Sequence, residues 1–418
     1  MAGTETQIAA VELERVAGDV PTLFERDDTF FSQIEKRPVE VISPRDMRIP
    51  LEIRPGGKTR HWDPEGGDMG RGDTPTFDKA VINTVHLLHA VEYTVKAKWA
   101  TDDKRKAVLN AVQRNVASAM KEFRRNIDSL CMTPGTGVLG TISAVSTASG
   151  VDTYTLGSDG YGARLLRYGM DINVYSSDLS TNLTAGSERT ITFHDGANKQ
   201  IKVAAVTGVQ AGMKIVASGL SATPPVSILG VPYHHSNAST GYWLGFDRAT
   251  NPEIRSNRVA AGGSLTLPFP RLAINKIGDR VGISKRKKKL QAWTHPCQQQ
   301  AYEEMGFDQI VIQKAAKEEG LDLYFNDNMR IAGAPIHVHY SWDKTRIDFV
   351  DMDVWGRAEF HAPGFFRDDN GNIYFVIRGA SGGVAGASVF YLVCSFNLFI
   401  NNPPATAYID TLTVPSGY

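Results

Sequence analysis

Gly56-Gly57-Lys58-Thr59 ends like a phosphate-cradling loop, where glycine amides and a lysine meet the phosphates of a nucleotide. That motif needs a glycine five positions before Gly57; Glu52 stands there, and no strand–loop–helix context follows. His337 and His339 lie two apart, so on a strand they share a face and could begin a metal site, but no third ligand can be named. His234 and His235 would point to opposite sides of an extended chain. All four read as solvated or hydrogen-bonded histidines. Asp368-Asp369-Asn370-Gly371-Asn372 starts like a calcium loop, yet Gly379 occupies the position of the bidentate Glu. A tight Asn-Gly turn fits that stretch better. Arg71-Gly72-Asp73 matches an adhesion tripeptide inside a Gly-rich stretch, where the match carries little weight.

Lys285-Arg286-Lys287-Lys288-Lys289 is the sharpest charge run, able to meet nucleic acid or an acidic protein surface. Without interleaved aromatics or a recognition-helix pattern, it reads as a solvated turn or a subunit contact. Cys131, Cys297 and Cys394 are widely spaced and form no CxxC, so they suit reduced, buried thiols and not a zinc or disulfide framework. No Ser/His/Asp, Cys/His or carboxylate pair occurs at local spacing. These residues point to no enzyme, cofactor or metal.

The elements that must position them come from pattern and charge. The 418 residues carry 45 Lys+Arg against 45 Asp+Glu, which excludes a globally basic nucleic-acid binder and an acidic disordered chain. The neutral total hides segments: net −4 over residues 1–50, +8 over 251–300, −4 over 301–340 and −3 over 341–418. Opposite signs in one chain suit complementary contacts within or between subunits. The N-terminus lacks the basic and apolar regions of a signal peptide. The longest apolar stretch, 389–400, is too short to span a bilayer, which takes about 20 residues.

Residues 1–36 read as an arm with short helical pieces. Met47, Ile49, Leu51 and Ile53 alternate with polar residues and predict a strand, with Pro50 arguing for an edge or irregular position. Residues 54–76 are polar and Gly-rich, a long structureless tip. Val91, Tyr93, Val95, Ala97 and Trp99 predict the return strand, so the whole reads as a protruding β-hairpin. A long amphipathic helix follows, capped by Thr101 or Asp102. Its apolar stripe runs from Val108 through Phe123 to Leu130, its polar face carries Arg114, Lys121, Arg125 and Asp128, and Thr133-Pro134-Gly135 stops it. Residues 135–160 read as a linker or loop, and 171–262 as a small all-β unit. Helices are predicted over 266–281, 296–305 and 308–319, the last two ended by Gly306 and Gly320. Strands are predicted over 289–294, 336–340, 347–350, 373–377 and 389–400.

This order of elements resembles the major capsid proteins of tailed bacteriophages, the Hong Kong 97-type capsid fold. Local stretches agree: Thr29-Phe30-Phe31, Ile49-Pro50-Leu51, the loop ending Arg71-Gly72-Asp73, Tyr242-Trp243-Leu244-Gly245-Phe246-Asp247-Arg248 with Asn251-Pro252-Glu253, and Trp293-Thr294-His295-Pro296. The resemblance covers roughly residues 29–410, and its specificity lies in the order of the motifs.

It implies an α+β fold with an N-terminal arm (1–36) and an extended hairpin loop (37–100). A peripheral domain with a spine helix (101–132 and 335–418) and an axial domain (133–334) carrying a β-rich insertion (171–262) complete it. It further implies a non-enzymatic shell protein of the virion, assembled in the host cytoplasm into pentamers and hexamers around double-stranded DNA that it encloses without reading sequence. A cargo-enclosing compartment of the same fold is the alternative, and a β-rich enzyme or carbohydrate-binding protein a more distant one. The expected partners are other copies of the chain, a separate scaffolding protein, a portal and, in some shells, a cement or decoration protein; no membrane is involved. Inter-subunit contacts are expected at Lys58, Arg60, Trp62, Arg71, Asp73, Lys287 and Lys288. Lys58 is the one lysine near the loop tip, and no cross-linking partner for it can be named.

Overall fold

In the computed structural model, residues 29–41, 46–61, 65–68, 70–94, 111–157, 161–282, 290–314, 330–378 and 384–415 are described. The alternation at Met47 to Ile53 forms the strand Asp46–Arg54, as predicted. Its antiparallel partner is Thr76–Asn83, which sets Met47 opposite Ile82 and Ile49 opposite Ala80. The return strand therefore precedes the one predicted from Val91 to Trp99. Pairing is decided by burying Met47, Ala80 and Ile82 together, although Asp78-Lys79 blurs the alternation of that segment. Val91 and Tyr93 lie instead in the strand Val85–Thr94, paired with Val384–Ile400. Val95, Ala97 and Trp99 fall outside the described residues. Pro50 faces Lys79, while on the other flank the two-residue strand Glu40–Val41 reaches only Arg48 and Met47. Pro50, having no N–H to donate, thus sits where that flank carries no strand among the described residues.

The chain divides into two compact units. The first holds residues up to Ser32, Thr84–Ser129 and Glu359–Phe396. Its helix is described over Ala111–Cys131, with Ala119, Phe123 and Ile127 buried; the predicted cap at Thr101 or Asp102 lies outside the described residues. The helix packs on one face of an antiparallel sheet. Val85, Leu87, His89 and Val91 pair with Phe396, Cys394, Leu392 and Phe390 on that face, and the His89 ring stacks on Phe123 at 6.1 Å. Asp128, predicted on the solvent face, is 2% exposed. Its carboxylate accepts the Phe31 N–H at 2.8 Å, and the Phe31 ring meets Phe396 at 5.4 Å. A charged residue on a polar stripe is thus claimed by a tertiary contact, because a buried amide needs an acceptor.

The second unit comprises Gln33–Asn83, Leu130–Ala358 and Asn397–Tyr418. Residues 135–160 are not a linker. They form the strands Val138–Ala148 and Val151–Leu156, joined at Ser149 (φ 51°) and Gly150 (φ 76°). Both turn residues take the left-handed conformation that a two-residue hairpin requires. Thr and Ser at the exposed positions masked this strand pair, while Asp152, Tyr154 and Leu156 alternate inward. The pair sits within a seven-stranded sheet, between Lys214–Ala217 on one side and Gln200–Ala204 on the other. The β-rich region therefore begins before Asp171.

A six-stranded sheet runs in the order Asn257–Gly263, Ala407–Leu412, Ile347–Asp351, Leu290–Thr294, Ala334–Val338, Arg330–Ile331. The helix Pro268–Val281 buries Pro270, Ala273, Ile274 and Ile277, and the last three join Phe349, Ile409 and Ala292 in the core. The helix Pro296–Lys314 runs through Gly306 instead of stopping there. Glycine inside a helix costs about 1 kcal/mol against alanine, too little to end one that has residues to continue it.

Candidate functional site

Two sets of polar side chains stand out, both in the second unit. The first is the hairpin tip, residues 55–75. It is exposed wherever its side chains are described, yet it is tied to itself. The Gly57 N–H donates to the Asp73 carbonyl at 3.0 Å, and the Arg60 guanidinium donates to the Arg71 carbonyl at 3.0 Å. Lys58 Nζ lies 4.0 Å from Asp73 Oδ2, with both side chains about three-fifths exposed (61% and 63%). Two glycines make this crossing possible. A Cβ on Gly56 would stand 2.4 Å from the Pro75 nitrogen, and one on Gly70 (φ +64°) would stand 1.6 Å from the Arg60 guanidinium. The tip is therefore less structureless than its composition predicts, because hydrogen bonds from the Gly57 amide and the Arg60 guanidinium tie its two sides together.

Lys58, Arg60, Arg71 and Asp73 thus come together in one exposed element. Trp62, Lys287 and Lys288 lie outside the described residues.

The second set is buried. Asp348, 1% exposed, accepts four donors: His235 Nδ1 at 2.9 Å, Trp342 Nε1 at 3.0 Å, and Arg346 Nε and NH2 at 2.9 and 2.7 Å. Arg346 also donates to the His235 carbonyl at 2.8 Å and covers the Tyr408 ring at 4.1 Å. Burial alone would raise the Asp348 pKa, but Arg346 and the His235 hydrogen bond hold it below the usual carboxylate range. His234 and His235 sit on a helical turn, not an extended chain. Trp243 and Leu398 occupy both ring nitrogens of His234: Nδ1 accepts the Trp243 indole N–H at 3.2 Å, and Nε2 lies 3.2 Å from the Leu398 carbonyl. Burial, with His235 adding to it, pushes the His234 pKa down to about 3, so the ring is neutral.

This second set is a brace: its donors converge on one carboxylate. The cavity beside it, lined by Tyr161, Val231, Trp342 and Arg346 among others, has room for about one water.

The other candidate residues are similarly occupied. The His337 ring stacks on Trp293 at 5.0 Å, and His339 Nδ1 accepts the Ser341 N–H at 3.1 Å. Asp368 Oδ1 accepts from the Asn370 and Asn372 amides at 3.0 and 2.7 Å, and Oδ2 from the Asn372 side chain at 3.0 Å. The Asn-Gly turn consumes the acceptors a calcium ion would need. All three cysteines are buried and unpaired in disulfides, and burial raises the Cys297 thiol to about 11. Among the described residues no cluster of His, Cys, Asp or Glu could hold a metal ion, and no helix is long and apolar enough to cross a membrane.

No family model matches the chain, and no curated protein matches it. Among solved structures, a chain of the cyanophage A-1(L) capsid asymmetric unit is similar to it at TM-score 0.57 and 11% identity, over 98% of this chain and 99% of that one. The capsid of a native GTA particle is similar at TM-score 0.46 and 11% identity, over 96% of each chain. The Synechococcus elongatus holo-SrpI encapsulin complex is similar at TM-score 0.43 and 8% identity, over 98% of this chain and 97% of that one. The full-length likeness to the cyanophage chain shows the fold: a mixed α/β, Hong Kong 97-like capsid fold, as the order of sequence elements implied.

Proposed function

We propose that this chain is a structural protein that assembles with copies of itself into the icosahedral shell of a tailed phage, enclosing double-stranded DNA. The observation that carries the reading is a capsid fold matched over 98% of the chain. The exposed, self-tied hairpin tip supports it, because an ordered polar tip held out in solvent suits docking on a neighbour.

In this reading residues 1–36 are an arm and 37–100 the extended loop. Residues 101–132, as spine helix, and 335–418 make the peripheral domain, and 133–334 the axial domain. The β-rich insertion proposed at 171–262 shares its sheet with Val138–Leu156. Lys58, Arg60, Trp62, Arg71, Asp73, Lys287 and Lys288 contact neighbouring subunits in pentamers and hexamers. A separate scaffolding protein and a portal are further partners, with a decoration protein where the shell carries one. The chain catalyses nothing and resides in the virion.

Negative-stain microscopy of the purified protein, alone and with its candidate scaffold, tests this. Closed shells or capsomer rings are expected. A small monodisperse species with catalytic turnover overturns the reading. Deleting residues 56–72 is expected to leave a soluble, folded subunit that forms no closed shells; normal particles from that deletion would remove the hairpin from the assembly contacts.

A further inference from the structure

The stretch Tyr242 to Glu253 carries the sequence resemblance without an assigned role. It contains an uncommon turn. Tyr242 pairs with Asp247 and Trp243 with Phe246, leaving Leu244 (φ 48°) and Gly245 (φ 94°) as a two-residue hairpin loop. Such a loop favours Asn-Gly or Gly-Gly, and a leucine there is strained. Strain of this kind persists where the surroundings over-determine it. Here Leu244 is 3% exposed, its N–H donates to Tyr233 Oη at 3.0 Å, and Trp243 beside it is 1% exposed. The consequence is a carbonyl aimed outward. The Leu244 oxygen accepts the N–H of Val81, in the return strand of the long hairpin, at 2.9 Å.

A second contact lies further along the same hairpin. Val81 stands opposite Arg48, and six residues beyond Arg48 the Arg54 guanidinium lies 3.7 Å from Glu253. At ~3.3 Å per residue the two contacts are about 20 Å apart. Glu253 is held on a firm base. From the helix Pro268–Val281, Arg280 donates to the carbonyls of Pro252 (3.2 Å), Glu253 (3.1 Å) and Arg255 (2.5 Å). Arg255 in turn donates to the Arg248 carbonyl at 2.9 Å, and Arg248 to the Tyr233 carbonyl at 2.9 Å.

We propose that Tyr242–Arg255 is a bracket that sets the angle at which the hairpin leaves its subunit, with the Leu244 carbonyl as pivot and Glu253 as a releasable stay. Two fixed points on a lever determine its direction; one leaves a hinge. The pivot is a backbone hydrogen bond anchored by a buried turn. The stay is an ion pair between side chains 56% and 48% exposed, which salt screens. At low ionic strength both hold; at high ionic strength the hairpin swings about Val81. Leu244 and Glu253 are positioning residues. Their effect on assembly rests on the shell-protein reading, whereas the hairpin angle does not.

Spin labels at Glu65→Cys on the tip and Thr207→Cys in a turn of the same unit report that angle in the unassembled subunit; the native cysteines are buried. Pulsed dipolar spectroscopy at low salt is expected to give one narrow distance distribution. Glu253→Lys, which faces Arg54 with a like charge, is expected to broaden it, as is high salt on the parent. Arg54→Glu/Glu253→Lys is expected to restore the narrow distribution, a rescue that general destabilisation would not produce. Equal widths for the parent and Glu253→Lys at low salt overturn the bracket. In microscopy, Glu253→Lys is expected to widen the range of particle sizes, with the double variant narrowing it again. A chain that never forms shells, yet shows the broadening and rescue, refutes the shell reading and leaves the bracket standing.

Discussion

The hairpin tip and the Asp348 brace use the same residue types to opposite ends. Each joins arginine to an acceptor and sets an aspartate beside a cation. At the tip, Lys58 and Asp73 sit 4.0 Å apart in solvent, where water already satisfies both charges. In the brace, Asp348 and Arg346 are taken out of water together, so each depends on the other. Environment, not composition, decides which pair holds the fold and which stays in solvent.

The contrast can be broken most forcefully at the brace. Asp348→Ala leaves the Arg346 charge buried without its carboxylate, and a loss of about 3–5 kcal/mol in unfolding free energy is expected from denaturant titration. A loss as small as that of a surface variant would show that Arg346 relaxes to solvent, and the two regions would differ less than their geometry implies.

Acid sharpens the comparison next. The His234 ring is neutral in the fold, with its pKa depressed by burial to about 3, while in the unfolded chain it titrates near the ordinary value of about 6.5. The unfolded state therefore binds the proton first. Its contribution is intact above pH 6.5 and is lost progressively as pH falls from there toward 3. Between pH 6.5 and 5 the loss from His234 alone amounts to about 2 kcal/mol. Burial depresses His295 in the same direction, to about 3, so the two add. Chemical denaturation at pH 7 and pH 5 checks this; a flat profile would mean that the brace opens and hydrates its histidines before unfolding.

The smallest effect is expected at the tip. Lys58→Ala should change unfolding free energy by less than about 0.5 kcal/mol, because an exposed pair is worth little. In sedimentation or microscopy the same variant is expected to weaken assembly, provided the tip meets its neighbour through Lys58. Changed stability with unchanged assembly would reverse the roles assigned to the two regions.

Much of this architecture was legible from local pattern. The Met47 to Ile53 alternation, the stripe through Phe123 and Ile127, and the strand ending at Ile400 follow from periodicity, because one face of each element must be buried. What periodicity misjudged were places where a partner elsewhere in the chain decides. Thr76–Asn83 has a weaker alternation than the stretch through Val91, yet it pairs with Asp46–Arg54 because Ala80 and Ile82 complete the face around Met47. Residues 138–156 look like a linker, since Ser and Thr occupy their exposed positions; neighbouring strands on both sides make them sheet. Asp128 sits on a polar stripe and is nevertheless buried, claimed by the Phe31 amide.

Of the expected contact residues, the exposure of Lys58, Arg60, Arg71 and Asp73 could be read from a polar, Gly-rich stretch that no compact core would use. Leu244 and Glu253 could not. A left-handed leucine leaves no mark in sequence, and the 3.7 Å approach of Arg54 to Glu253 joins positions about two hundred residues apart.

By itself, the sequence determined the strand at Met47 to Ile53, the helix through Phe123 and the strand ending at Ile400, the exposure of the tip, the lack of a local catalytic or metal-binding constellation, and the order of elements that marks the capsid fold. These depend on neighbours a few residues away, within reach of pattern. Only the tertiary structure decided which strands pair, that His234, His235 and Asp348 are buried in one brace, and how the hairpin is held. Those outcomes depend on which distant groups satisfy one another once water is gone, and linear spacing does not encode that.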